Sequence, residues 1–253
     1  MRWIKLAHVS RACLSLLPLL LFDARPQQPQ APPPTTALPV QPAPPVPVPA
    51  PPAVSPRFLV ALDAAHGGSD TGARITERIL EKDITLSLTA RLRSMLSAHG
   101  IGVIITRSSD VDLTPLSRAE TINHIPASAC ILIHATATGS GVHLYTSSLA
   151  PTPPSRFMPW QTAQSAYVTQ SLKLSSEIDS ALAHAAIPVT LGRTFLQPMD
   201  SLTCPAVAVE VAPLMAGGST KAAPLSDTAY QRSILDALTA ALDEWRNDWR
   251  QQP

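Results

Sequence analysis

The stretch FLVALDAAHGGSDTGA, from Phe58 to Ala73, decides the fold of this 253-residue chain. It opens with an apolar run of strand length, Phe58 to Leu62, which stops at Asp63. A little further on, His66 is followed directly by two glycines. A buried strand that runs into a glycine-rich loop is typical of open α/β sheets, in which ligands bind at the carboxyl ends of the strands. His66 is therefore the first candidate for a metal-binding side chain.

Residues 1–25 are typical of an export signal. Positive charges precede an apolar segment of about eleven residues, Ala12 to Phe22, which is too short to span a bilayer. We expect cleavage near Ala24; an uncleaved anchor is the alternative, because Phe22 stands where a second small residue is usual. No later segment is long and apolar enough to predict a membrane span. Loss of residues 1–24 removes three positive charges and one negative charge, so the net charge changes from +1 to −1 and gives no reason to expect a nucleic-acid partner.

Proline dominates residues 26–56, which predicts a disordered linker without a packed core. Such a segment favours polyproline II, and about 30 residues at roughly 3.1 Å each would reach about 90 Å. Two interpretations stay open: a semi-rigid spacer that holds a folded domain away from a membrane or through a wall, and a disordered leader of no particular length. The remaining residues, 57–250, are enough for one folded domain.

Beyond the linker, short apolar strands alternate with helical patterns. This alternation predicts an α/β fold of three layers, with a mostly parallel central sheet of about six strands and helices on both faces. The predicted helices are Glu81–His99, Pro115–Asn123, Gln161–Ala185 and Thr228–Trp249, and the predicted strands are Phe58–Asp63, Gly102–Thr106, Cys130–His134, Val142–Thr146, Thr194–Gln197 and Ala206–Val211.

Four side chains that could carry chemistry fall at one edge of this sheet. His66 follows the first strand, His134 ends the strand CILIH, and Glu210 lies near the end of the strand AVAVEV. Glu81 opens the helix after the first strand, on the same edge. Two imidazoles and a carboxylate are a common ligand set for catalytic zinc, with the fourth position left to water. A further carboxylate can serve as the general base, so the set suits hydrolysis of an unactivated amide.

Taken singly, each residue also has an ordinary structural interpretation. A histidine after a strand is often structural, and an acid at a helix start, like Glu81, can simply complement the helix dipole. Glu210 is harder to explain in this way, because a carboxylate within a strand of valine and alanine is costly to bury unless it is paired or bound to a metal. Asp63 is either a partner that orients a ligand histidine or a turn residue. We interpret four further histidines as surface or local residues: His99, His124, His143 and His184.

Four motifs resemble those of the zinc-dependent N-acetylmuramoyl-L-alanine amidases known as amidase type 3, and together they cover essentially all of residues 57–249. The first is a strand that runs into Asp-Pro-Gly-His-Gly-Gly and Asp-x-Gly-Ala, present here as DAAHGGSDTGA with His66. The second is Glu-Lys-Asp at a helix start, here at Glu81, followed by a strand that closes in Thr-Arg. The third is a strand that ends in Ile-His-Ala, with His134. The fourth is Pro-Ala-x-x-x-Glu-Val, present as PAVAVEV with Glu210.

The resemblance implies that His66, Glu81 and His134 hold Zn²⁺ and that Glu210 is the catalytic glutamate. It implies that the substrate is peptidoglycan and that the bond cleaved joins the lactyl group of N-acetylmuramic acid to L-alanine of the stem peptide. Together with the export signal, this places the expected action in the periplasm or cell envelope. The sequence departs from the family pattern in loops, which affects rate and specificity more than metal binding: Ala64 and Ala65 replace Pro-Gly, Thr136 replaces Asn, and Ala212 and Pro213 replace Gly-Phe.

Two other functions stay open. One is a wall peptidase that cuts within the stem peptide, and the other is an inactive or regulatory peptidoglycan-binding domain of the same fold. Retention of all four groups, His66, Glu81, His134 and Glu210, argues against the second, because a binding domain needs no general base such as Glu210. In some relatives a helix blocks the cleft until an activator binds. The stretch Ser148–Trp160 is too rich in proline to predict such a helix, so control by an activator stays open.

Two cysteines, Cys130 and Cys204, would remain after Cys13 leaves with the signal. An oxidising compartment and an even count favour pairing. If the strands of His134 and Glu210 run side by side, the two cysteines fall within roughly 7 Å of each other along the strand direction, which is marginal for a disulfide. We favour two small buried hydrophobic residues, with a disulfide as the alternative.

Overall fold

The computed structural model describes residues 58–217 and 222–250, so the predicted signal over 1–25 and linker over 26–56 lie outside the described residues. Most predicted elements are confirmed to within one residue at each end. None of the helices in the described ranges has the length and apolar character needed to cross a membrane. The strands are β1 (Leu59–Ala64), β2 (Gly102–Ile105), β3 (Ala129–Ala135), β4 (Val142–Ser147), β5 (Val189–Thr194) and β6 (Ala206–Val211); the helices are α1 (Glu81–Ala98), α2 (Pro115–Asn123), α3 (Val168–His184) and α4 (Thr228–Arg250), with 3₁₀ helices at Trp160–Ala166 and Met199–Ser201.

The six strands form one sheet in the order β2-β1-β3-β6-β4-β5. β1 pairs in parallel with β2 and with β3, and β3 pairs in parallel with β6. The strand direction reverses at the next pair, because β4 runs antiparallel to β6 while β5 is parallel to β4. The mostly parallel α/β sheet of six strands is thus confirmed, with one reversal that brings β4 beside β6.

Alternate side chains of β3 belong to two hydrophobic clusters, one on each face of the sheet. Ile131 and Ile133 join the larger cluster, in which α1, α3 and α4 cover the sheet. Cys130 and Leu132 join a smaller cluster with α2 and the segment around Met199. This division follows from the two-residue period of a strand. It confirms the three layers, with helices on both faces.

The long helix predicted over Gln161–Ala185 is wrong in its first part. Trp160–Ala166 form a 3₁₀ helix, and α3 begins after it. The buried side-chain amide of Gln164 donates to the carbonyl groups of Leu202 and Cys204, both at 3.0 Å. A tertiary contact of this kind can override the local helical preference, which is why the pattern of the sequence did not indicate the break.

The short strand predicted at Thr194–Gln197 is misplaced. β5 occupies Val189–Thr194 and pairs with β4 at the edge of the sheet. It buries little of either face, and Leu191 is 59% exposed. An edge strand of this kind lacks the apolar alternation by which strands are predicted, so its position had to come from the structure.

Cys130 and Cys204 form a disulfide, so the interpretation that we favoured, two unpaired buried cysteines, is wrong. Their Cα atoms are 6.1 Å apart. Cys130 lies opposite Ala206 in the β3–β6 register, so Cys204, which precedes β6, comes within reach of the neighbouring strand. The bond ties together the strands that carry His134 and Glu210.

Candidate metal centre

Two buried arginines hold the loop that follows β1. Arg107 donates to the carbonyl groups of Ala64 at 2.9 Å and Ala65 at 3.0 Å. Arg118 donates to those of Ala64 and His66, both at 2.6 Å. Burial, with the nearby charge of Arg118, lowers the pKa of Arg107. In this loop His66 adopts the left-handed conformation, with φ of 61°, which is uncommon outside glycine and is often found at functional sites.

Asp63 fits neither of its two predicted roles. It lies in β1, where its Oδ1 accepts hydrogen bonds from Arg118 at 2.8 Å and from Thr106 Oγ1 at 2.6 Å. The partner of the histidine is instead Asp70, whose Oδ2 lies 2.9 Å from His66 Nδ1. Asp63 therefore acts on the site indirectly, as the charge partner of an arginine that holds the loop.

Glu81, the first residue of α1, lies between the two predicted histidine ligands. Its Oε2 is 3.1 Å from His66 Nε2, and its Oε1 is 3.0 Å from His134 Nδ1. The backbone N–H groups of Ala73 and Ala135 donate to the same carboxylate. Burial acts to raise the pKa of Glu81, but the hydrogen bonds from His134, His66 and the two N–H groups outweigh it and hold the pKa well below its usual range. The carboxylate is therefore charged, as a metal ligand must be.

These three side chains form a group that could hold a metal ion. The candidate ligand atoms of His66, Glu81 and His134 all lie within 4.8 Å of one another. Gly72 leaves room for them, because a Cβ there would lie 2.6 Å from Glu81 Oε2. His134 Nε2 is buried and has no hydrogen-bond partner among the described residues, as is common where a bound ion or water completes a site. Two imidazoles and a carboxylate fit zinc, and their role as its ligands stays a prediction.

A small cavity of about 80 Å³ adjoins this group. It is lined by both histidines together with Asp70, Leu113 and Gln197. Since one water molecule needs about 10–15 Å³ of such volume, the cavity has room for water beside the candidate ligands.

Glu210 is not part of the group of three and lies one strand further along the sheet, on β6. The β3–β6 register places it beside His134, and the antiparallel β6–β4 register places it opposite His143. His143 Nδ1 is 2.8 Å from Glu210 Oε2. The interpretation of His143 as a surface or local residue is therefore wrong. Its role was hidden because the contact depends on the reversed direction of β4; the available signal was the alternation in VHLYTS, which puts His143 and Tyr145 on one face.

The other three histidines are exposed, as predicted for surface or local residues. His99 contacts Asp243 across the α1–α4 interface. His124 and His184 are exposed at helix ends and bond through Nδ1 to carbonyl groups of their own helices. None of these three approaches the candidate metal group.

The family predicted from the motifs is confirmed by comparison with known proteins. The family model described as N-acetylmuramoyl-L-alanine amidase matches residues 60–244, which include all four motifs and most of the chain. The chain belongs to this family.

Similarity to individual curated proteins covers parts of them. The germination-specific N-acetylmuramoyl-L-alanine amidase of Bacillus subtilis (strain 168) is 38% identical over 96 residues, which are 32% of this chain and 40% of that protein. The endolysin of Bacillus phage SPP1 is 40% identical over 84 residues, which are 33% of this chain and 31% of the endolysin. The chain therefore spans less than half the length of these relatives.

A solved structure shows the same fold. The catalytic domain of CwlV, an N-acetylmuramoyl-L-alanine amidase from Bacillus (Paenibacillus) polymyxa var. colistinus, matches with a TM-score of 0.58 at 21% identity. The match covers 75% of this chain and 98% of that domain. At this level of identity the likeness concerns the fold.

Proposed function

We propose that this chain is a zinc-dependent peptidoglycan hydrolase that cleaves the amide between the lactyl group of N-acetylmuramic acid and L-alanine of the stem peptide. The observation that carries the proposal is the position of Glu81, whose two carboxylate oxygens each face one imidazole, His66 or His134, at the carboxyl edge of the sheet. Membership of the amidase family supports the choice of bond.

In this proposal His66, Glu81 and His134 would hold zinc, which when bound would polarise the amide carbonyl and lower the pKa of a water molecule to near neutral. Glu210 accepts the proton of the attacking water and passes it to the nitrogen of L-alanine as the amide C–N bond breaks. The products are a lactyl carboxylate and a stem peptide with a free amino group. Asp70, at 2.9 Å from His66 Nδ1, keeps that ring oriented.

The proposal extends to location and domain organisation. Residues 1–25 would direct export, residues 26–56 would form a proline-rich linker, and residues 57–250 would be the catalytic domain. The periplasm or cell envelope is where peptidoglycan is found, which agrees with an export signal. We propose no nucleic-acid partner, and no membrane attachment beyond the signal or its uncleaved form.

Digestion of purified peptidoglycan, followed by mass spectrometry, tests the function. We expect free stem peptides with an unblocked L-alanine amino group, together with glycan strands that carry an unsubstituted lactyl group. A chelator should stop product formation, and added zinc should restore it. Glu210→Gln, prepared in the same way, is the matched control for contaminating hydrolases.

Two results would contradict the proposed function. Fragments cut within the stem peptide would contradict the proposed bond and support a wall peptidase. Binding to peptidoglycan without any product, in protein that carries zinc, would support a binding or regulatory domain. Adding an extract of the cell envelope in that second case would show whether an activator is required.

A further inference from the structure

Three titratable side chains lie in one row across the sheet. β6 lies between β3 and β4, and the residues level with Glu210 on these neighbours are His134 and His143. Directly opposite residues on adjacent strands point to the same face of a sheet. Glu210 therefore has one neighbour from the candidate metal group and a second, His143, to which the proposed mechanism gives no role.

The contact between His143 and Glu210 is close and partly sheltered from solvent. His143 Nδ1 lies 2.8 Å from Glu210 Oε2, and the side chain of His143 is only 14% exposed. Within the described ranges, no donor occupies the second carboxylate oxygen, Oε1. One oxygen of Glu210 is thus held by the protein, and the other is left for a further partner.

The surroundings of His143 restrict its ring. A Cβ on Gly139 would lie 2.4 Å from Cε1 and 2.6 Å from Nε2 of His143, so the absence of a side chain there makes room for the imidazole. The ring of Tyr145 lies edge-to-face with it, with centroids 6.5 Å apart and an angle of 79°. This packing favours a single orientation, in which Nδ1 faces Glu210.

We propose that His143 is a positioning residue for Glu210: its Nδ1–H donates to Oε2 and fixes the carboxylate so that Oε1 accepts the proton of the attacking water. The inference rests on the proposed function, in which Glu210 is the general base. Without this hydrogen bond the carboxylate would rotate about its side-chain bonds and spend less time in the reactive orientation. His143 touches neither zinc nor substrate in this role.

Two substitutions separate the hydrogen bond from the shape of the side chain. His143→Leu removes the donor, and His143→Asn keeps an N–H donor near the position of Nδ1. We expect His143→Leu to lower kcat by about 10–100-fold, the usual effect of losing a residue that orients a catalytic group, with KM, zinc content and Tm close to those of the wild type. His143→Asn should restore most of the lost kcat. His184→Leu, at an exposed histidine that bonds to its own helix, is the matched control.

A second measurement detects the hydrogen bond itself, without metal, in the wild type and in Glu210→Ala. Nitrogen NMR of the imidazole rings, at a pH where they are neutral, shows which nitrogen carries the proton. Donation to Glu210 requires the proton of His143 on Nδ1, and in Glu210→Ala the proton should move towards Nε2. A purely structural role for the ring would not predict this change.

Several outcomes would overturn the inference. Unchanged kcat in His143→Leu would do so, as would a proton on Nε2 in the wild type. A loss of kcat in His143→Leu larger than that in Glu210→Gln would make His143 the base instead of the positioning residue. If the wild type forms no amidase product, the proposed function fails, and the NMR result still decides whether the contact exists.

Discussion

The two halves of the candidate site are formed by different arrangements of strands. The metal group lies in the parallel half, where His66 follows β1, His134 lies one residue before the end of β3, and Glu81 starts the helix after β1. The pair of Glu210 and His143 lies where the strand direction reverses between β6 and β4. In the parallel half, side chains meet because strands end at a common edge. Where the direction reverses, the side chains of Glu210 and His143 meet only because β6 and β4 are neighbours in the sheet.

The halves also differ in how firmly each carboxylate is held. Glu81 is buried and makes four contacts, two with imidazoles and two with backbone N–H groups. Glu210 is 29% exposed at its side chain and, among the described residues, has one donor, His143. Glu81 is therefore suited to a fixed role as a ligand. Glu210 is suited to a role in which protons are gained and lost.

Glu81→Gln should have the largest effect, because it removes the charge between the two histidines while keeping the shape. We expect the zinc content to fall well below one ion per chain. Activity should fall on the order of 10³-fold or more, since the metal contributes several kcal/mol to catalysis. Elemental analysis and peptidoglycan digestion measure the two losses. Glu77→Gln, at an exposed glutamate in the loop before α1, is the control, and full zinc content in Glu81→Gln would contradict the ligand assignment.

Glu210→Gln should affect only the other half of the site. The protein should fold and bind zinc normally, because the metal group does not include this residue. Turnover should fall by about 10²–10⁴-fold, the usual contribution of a general base. Kinetic assays on zinc-loaded protein measure this. Near-normal turnover would assign the proton transfer to another residue.

The metal group could be predicted from the sequence because each of its residues lies at or next to a terminus of an element whose pattern is strong. β1 and β3 are apolar runs, and α1 has leucines at regular spacing, so the positions of His66, Glu81 and His134 followed directly. Parallel strands then needed no further information to bring these residues to one edge.

The contact with His143 could not be predicted, because the sequence pattern of β4 does not show its direction or its neighbour. The same limit applies to the disulfide, since the spacing of Cys130 and Cys204 from the site residues left them at the edge of bonding distance. β5 was misplaced because an exposed edge strand has little apolar alternation. In each case the missing information was a tertiary contact and not a local preference.

The disulfide between Cys130 and Cys204 joins β3 to β6, and so connects the strands of the two halves. We expect no free thiol in the denatured, unreduced protein after export. Replacing both cysteines with alanine should lower the free energy of unfolding by about 2–4 kcal/mol, because the bond closes a long loop. Urea denaturation measures this change. Two free thiols in exported material would contradict the pairing.

The smallest expected effect is at Tyr230, which contacts the backbone where the strand direction reverses between β6 and β4. Its buried hydroxyl has one proton and lies within hydrogen-bond distance of two carbonyl groups, those of Gly141 at 3.1 Å and Ala212 at 2.9 Å, next to the start of β4 and the end of β6. Tyr230→Phe should lower the free energy of unfolding by about 1–3 kcal/mol, because it removes the donor to the buried carbonyl group of Ala212. The carbonyl group of Gly141 still accepts from the backbone N–H of Ala212 at 2.9 Å. Tyr167→Phe is the control, since the hydroxyl of Tyr167 makes no hydrogen bond to the described residues.

The pH dependence of Tyr230 sharpens the same test. Burial raises the pKa of Tyr230 from 10.0 to about 12. The folded protein holds the phenol proton more tightly than the unfolded chain does. The contribution of the protonated phenol to the free energy of unfolding is therefore fully present below pH 10 and is lost as the pH rises through 12. Urea denaturation at a series of alkaline pH values should therefore show a loss of stability in the wild type that is smaller in Tyr230→Phe. Equal losses in the two proteins would mean that the phenol does not hold β4 and β6 together.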